Sequence, residues 1–134
     1  MIVEATIIDG PIPPLAALDT PLRDEVGAAL VFDGIVRHTE DGRPLVALDY
    51  EAYDGMAKRE LLAVAVSVAA AHGVLSFRVW HSRGRVPVGA ASLRVVIHSR
   101  HRKESLAAMD EFIDRLKRDV PIWKHAVFAA DGPT

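Results

Sequence analysis

Hydrophobic and polar positions along the chain switch several times between a period of two and a period near 3.6. Residues Ile2 to Ile8 alternate and are β-rich, which predicts a strand, and Gly10-Pro11-Ile12-Pro13-Pro14 breaks it. Leu15 to Val26 has room for one or two short helical turns. Gly27 to Arg37 carries Val31, Phe32, Ile35 and Val36 and predicts a buried strand. Asp41-Gly42 marks a turn, and Leu45 to Tyr53 returns as a strand with Leu48, Tyr50 and Ala52 on one face. Met56 to Ala71 is rich in Ala, Leu and Val and predicts a helix, with Asp54 as N-cap and His72-Gly73 as its close. Val74 to Val86 predicts a strand with Phe77, Val79 and His81 on one face. After the turn at Pro87-Val88-Gly89, Ala91 to His98 predicts another, with Leu93, Val95 and Ile97 sharing a face. A second helix spans about His101 to Arg118, Pro121 ends it, and Ile122 to Phe128 forms a last short strand.

The order is roughly βββαββαβ with hairpin-length links. It predicts an α+β fold, a mostly antiparallel sheet with two long helices, rather than a doubly wound α/β fold. Residues 1–134 read as a single domain, because no repeat, low-complexity tract or linker interrupts them.

The second helix carries the chemistry of most interest. At about 100° per residue, Leu106, Met109, Phe112, Ile113 and Leu116 form one apolar stripe, and Arg102 and Lys117 fall on it or at its edge. Two readings stay open. The aliphatic stems of these residues can snorkel to solvent. Alternatively, a pocket between helix and sheet uses their charge. In that reading His101 and Arg102 sit beside the free N–H groups of the helix start, a natural anion site. Lys117 and Lys124 are seven apart with Pro121 between them, and a turn there brings both amines to one cavity. Two amines in a partly desolvated site lower each other's pKa, and one can then exchange protons near neutral pH. Arg37-His38, at the end of a strand, is either a turn pair or a further source of an anion ligand.

Composition narrows the classes. The 16 Lys+Arg and 18 Asp+Glu give a net charge of −2, and aromatics are few, which argues against nucleic-acid binding. Only four lysines occur against twelve arginines, and two of the four lie in the C-terminal run. Arg cannot release its proton, so a Lys in such a chain hints at a chemical need. There is no cysteine, so no disulfide, thiolate metal site or protein thiol nucleophile exists. The six histidines show no helical metal spacing, and no metal or cofactor is expected. The start of the chain does not read as a signal peptide, and no apolar run is long enough to span a membrane, so a cytoplasmic location is the expectation. Tyr50, Glu51 and Tyr53 read as sheet-surface packing.

Several segments together resemble the large, catalytic subunit of molybdopterin synthase. They are Phe32-Asp33-Gly34-Ile35-Val36-Arg37, Leu48-Asp49-Tyr50-Glu51-Ala52-Tyr53 with Met56-Ala57, and Arg83-Gly84-Arg85-Val86-Pro87-Val88-Gly89. Two more are Ser99-Arg100-His101-Arg102 with Ser105-Leu106, and Leu116-Lys117 through Val120-Pro121-Ile122-Trp123-Lys124. The last two are specific in combination, and the likeness runs in order over nearly the whole chain.

The resemblance implies a hammerhead-type α+β fold and a sulfurtransferase of molybdenum-cofactor biosynthesis. Such an enzyme turns cyclic pyranopterin monophosphate into the molybdopterin dithiolene. Its sulfur comes from the C-terminal Gly-Gly thiocarboxylate of a small ubiquitin-like subunit, and a homodimer of the large subunit forms the centre of a heterotetramer. By motif, Lys117 and Lys124 are the implied catalytic residues. Lys117 would contact the thiocarboxylate carbonyl and help proton transfer, and Lys124 would hold or activate the pterin intermediate. Arg37, His101 and Arg102 are the implied binders of phosphate and pterin, some of them across the dimer, with Phe32 and Met109 as pocket walls. Ile35 and Arg100 depart from the family's pattern, and the aromatic-containing tail usual in the family has no counterpart before Thr134. The alternative is a non-catalytic α+β dimeric module that binds an anionic metabolite in the same cationic pocket.

Overall fold

A computed structural model describes residues 1–18, 22–53 and 55–130. Its elements in chain order are β1 (Ile2–Asp9), a 3-10 turn (Leu15–Leu18), β2 (Ala28–Ile35), β3 (Thr39–Glu40), β4 (Arg43–Ala52) and α1 (Met56–His72). Then follow β5 (Ser76–Pro87), β6 (Ala91–Ser99), α2 (Arg102–Asp119) and β7 (Ile122–Phe128). The α+β reading holds: two helices accompany a sheet in which β1 and β5 run parallel and the other pairs antiparallel.

β5 organises the sheet because it serves two wings. Its opening stretch, Ser76–His81, pairs with β6 on one side, and Ser76–Arg83 pairs with β1 on the other. From Gly84 to Pro87 it pairs instead with β4, which in turn carries β7. The change of partner falls at Gly84, whose φ is +83°, a backbone state that side-chain-bearing residues rarely adopt. The strand therefore leaves one wing and enters the other at a single residue.

Both helices cover one face of the first wing, and the main core lies between. Phe77, Val79, Val95 and Ile97 from the sheet meet Leu61, Val64 and Val68 of α1 and Ala108, Phe112 and Leu116 of α2. Phe77 and Phe112 pack edge to face with centroids 4.9 Å apart, a favourable quadrupole geometry. A second cluster, Val36, Leu45, Leu48 and Val86, lies under the other wing. α1 closes as the sequence predicts: Gly73 takes the left-handed conformation at φ +65° and its N–H bonds to the Ala69 carbonyl. The expected Asp54 cap lies outside the described residues.

Two expectations need correction. The segment read as a buried strand is the edge strand β2, bonded among the described strands only to β6, with Val31, Phe32 and Ile35 exposed and Val36, just past its end, buried. An apolar run marks a low affinity for water, and burial further requires an element packed over the face from which its side chains project. On α2 the buried line is Ser105, Ala108, Met109, Phe112 and Leu116, and Leu106 is exposed. At about 100° per residue, Leu106, Ile113 and Lys117 share a flank about 80–120° from the buried Ser105.

Candidate active site

A cavity of about 540 Å³ opens along that flank, at the seam between the two core clusters. One wall comes from the main core, with Leu93, Ile113, Leu116, Val120 and Ile122. The other comes from the second wing, with Val36, Leu45, Leu48 and Tyr50. Phe32 and Ile35, at the end of β2, complete the apolar lining.

Three cations line it: Arg37, Lys117 and Lys124. Each is exposed, so they form the mouth rather than the floor. Local sequence accounts for their placement. Lys117 lies in the last turn of α2, where a cation is favoured by the helix dipole. The residue before proline is pushed out of the helical region, and Val120 accordingly sits at φ −99°, ψ 127° and ends α2. The chain turns at once into β7, where side chains alternate. Ile122 and Lys124 line the cavity, whereas Trp123 packs edge-on against Tyr53 and His125 bonds Glu51 at 3.1 Å. Lys124 Nζ stands 3.9 Å from a Glu40 carboxylate oxygen, a loose pair at an exposed site.

The interior end of the cavity is polar but neutral. Tyr50 Oη and Ser92 Oγ are hydrogen-bonded at 2.8 Å, and His81 meets the Tyr50 ring edge to face at 5.2 Å. His81 Nδ1 lies 2.8 Å from the Ser82 carbonyl, so that nitrogen donates. Burial holds the imidazole pKa below its ordinary value, partly offset by this bond, and burial pushes the Tyr50 hydroxyl up.

The motif-derived residues therefore divide. Arg37, Lys117, Lys124 and Phe32 line one cavity. His101 and Arg102 do not; they are exposed at the start of α2, with His101 Nδ1 3.6 Å from Glu104. Met109 belongs to the main core and does not line the cavity. Reading the sequence missed Glu40 and Ser92, assigned Tyr50 to surface packing, and gave His81 no role beyond the core face of β5. The placement of His81 after Phe77 and Val79 on that face was the available signal. Ser92 offered none. Among the described residues no group of three His, Asp or Glu could hold a metal, and no helix is long and apolar enough to cross a membrane.

Comparison with known proteins bears on this site. Residues 9–119 match the model of the MoaE protein family. The molybdopterin synthase catalytic subunit of Oryza sativa subsp. indica is 41% identical over 102 residues, 76% of this chain and 53% of that protein. Those of Nostoc sp. (strain PCC 7120) and Homo sapiens are 42% and 37% identical, over 73% and 76% of this chain and 60% and 54% of theirs. The chain thus spans little more than half the length of these relatives. The crystal structure of molybdopterin synthase from Staphylococcus aureus superposes with a TM-score of 0.84 at 27% identity, covering 93% of this chain and 91% of that one. A complex of subunits 1 and 2 of the molybdopterin-converting factor from Helicobacter pylori gives 0.72 at 26% identity, covering 96% and 91%. With its model matched over most of the residues and the fold shared with these solved structures, the chain belongs to the MoaE protein family.

Proposed function

We propose that this chain is the catalytic subunit of a molybdopterin synthase. It accepts sulfur from the C-terminal thiocarboxylate of a small ubiquitin-like subunit and delivers it to cyclic pyranopterin monophosphate. The chain has no cysteine, so sulfur must arrive on a partner. The named relatives are such catalytic subunits, and the Helicobacter pylori neighbour is a two-subunit complex. The observation that carries the reading is one cavity lined by Lys117, Lys124 and Arg37 over apolar walls. Both reactants are anions, and an apolar-walled cleft with cations at its mouth suits a flexible acyl tail and a phosphate alike.

In this reading the small subunit's tail enters between the walls. The Lys117 ammonium holds the carbonyl of the thiocarboxylate while the sulfur bonds to the pterin side chain, and it gives a proton to the side-chain oxygen that the sulfur displaces, which leaves an acyl C–S bond between the two reactants. Water replaces the departing sulfur and leaves a carboxylate on the small subunit. Lys124 holds the pterin intermediate and Arg37 its phosphate. His101 and Arg102, which do not line the cavity of their own subunit, contribute from the second copy of a central homodimer. Mixing the protein with a thiocarboxylated small subunit and cyclic pyranopterin monophosphate tests this. Dithiolene product is expected; binding of both reactants without product would leave an anion-binding module in its place.

A further inference from the structure

The cations at the mouth leave the inner end of the cavity without a role. His81 lines it and is only 7% exposed. Its Nδ1–H is committed to the Ser82 carbonyl at 2.8 Å. In the neutral ring Nε2 then carries a lone pair and no proton, and it acts only as an acceptor. No described residue donates to Nε2. Nε2 is therefore an open acceptor on a residue that lines the cavity, available to a donor from a bound molecule. Beside it, Tyr50 and Ser92 have two hydroxyl protons between them. One is spent in their mutual bond, and the other remains to be offered outward.

Such an end carries no charge to hold an anion. A carboxylate or fully ionised phosphate oxygen has no proton to give Nε2, and a lone pair facing it is unfavourable. A ring N–H or amino group fits instead, with a ring carbonyl or nitrogen taking the remaining hydroxyl proton. Resting on the function proposed above, we infer that His81 is a substrate-binding residue. Its Nε2 accepts a hydrogen bond from the neutral nitrogen heterocycle of the substrate, and the Tyr50–Ser92 pair completes recognition of that ring. The cavity then reads two halves of one molecule: an anionic group at the mouth and a neutral N–H-bearing ring within. This separates the intended substrate from simple phosphates, which carry the first half alone.

The test measures binding of cyclic pyranopterin monophosphate and of inorganic phosphate by titration calorimetry. His81→Phe keeps the ring volume and removes the acceptor. It should weaken the pterin about tenfold, the worth of one lost hydrogen bond, and leave phosphate binding within about twofold. His81→Gln restores an acceptor near the Nε2 position and should recover most of the loss. Equal affinity of wild type and His81→Phe for the pterin would overturn the inference and leave the proposed function standing. A parallel loss for phosphate, unrecovered in His81→Gln, would overturn it as a structural effect. Failure of wild type to bind the pterin would overturn the proposed function and this inference together. Nitrogen-15 NMR of the wild-type protein decides the matter without relying on a variant that folds. Nε2 should be unprotonated in the free protein and its resonance should move with the pterin but not with phosphate; a protonated or unmoved Nε2 refutes the assignment.

Discussion

Replacing Lys117 with alanine should separate chemistry from folding, because the two costs differ by several kcal/mol. Lys117 is exposed at the mouth of the cavity and outside both core clusters. Surface truncations of this kind change stability by within about 0.5 kcal/mol. Unfolding entropy of about 2.1 cal/mol/K per residue gives about 0.28 kcal/mol/K for 134 residues, so the melting midpoint should move by no more than about 2 °C. The catalytic cost is larger. In the free protein the ammonium is screened by water, but an acyl tail filling a 540 Å³ cleft excludes that water. A donor to developing negative charge in such a site contributes about 3–4 kcal/mol, or roughly 10²- to 10³-fold in rate. The assay is a single-turnover reaction with thiocarboxylated small subunit, following loss of the thiocarboxylate and appearance of dithiolene by mass. Lys117→Arg refines the reading. Its guanidinium keeps the charge and does not release a proton, so it should restore binding of the small subunit but not turnover. Turnover by Lys117→Ala within about threefold of wild type would refute the reasoning, as would a rate loss accompanied by a large drop in melting temperature.

Three further outcomes follow from the packing. Arg94 is nearly buried and donates to both Asp33 carboxylate oxygens at 2.6 and 2.9 Å, with the Pro13 carbonyl as a third partner. Because Asp33 keeps about a third of its side chain in water, Asp33→Ala should cost about 2–3 kcal/mol, below the range for a fully buried pair, read as a lowered urea midpoint. At Gly27 an added Cβ would stand 2.1 Å from the Arg100 carbonyl oxygen, so Gly27→Ala must push the neighbouring backbones away from each other and should destabilise by about 1–3 kcal/mol; an unchanged midpoint would contradict that closeness. His81 has a folded-state pKa depressed by burial, so on acidification the unfolded chain takes up its proton first. Stability should fall as pH drops from about 6.5 toward the folded value and then level off, and His81→Gln should remove that component of the slope in pH-dependent denaturation.

What the sequence revealed and what it hid follow from one distinction, between features set by neighbours along the chain and features set by register across the sheet. Lys117, Pro121 and Lys124 lie within eight residues. A helix end, a proline that forbids continuation and a period of two are enough to bring both amines to one side, and each is visible in the letters. The same holds for the turn at Asp41-Gly42 and the close of α1 at Gly73. The edge position of β2 is different, because an apolar strand reads the same whether one neighbour flanks it or two. So is the neutral end of the cavity. Tyr50 stands opposite Gly84 and Lys124, and His81 opposite Leu93, next to Ser92. Tyr50 on β4 is far in sequence from His81 on β5 and Ser92 on β6, and the three meet only because β5 changes partners at Gly84. The cationic mouth is thus a local product of α2 and β7 together with Arg37, whereas the neutral end is a product of the whole sheet. A side chain at Gly84 would oppose the φ of +83° on which that change of partners depends, and so would act on the cavity without lining it. The chemistry of the mouth can be carried by a short motif, but recognition of the ring requires the fold.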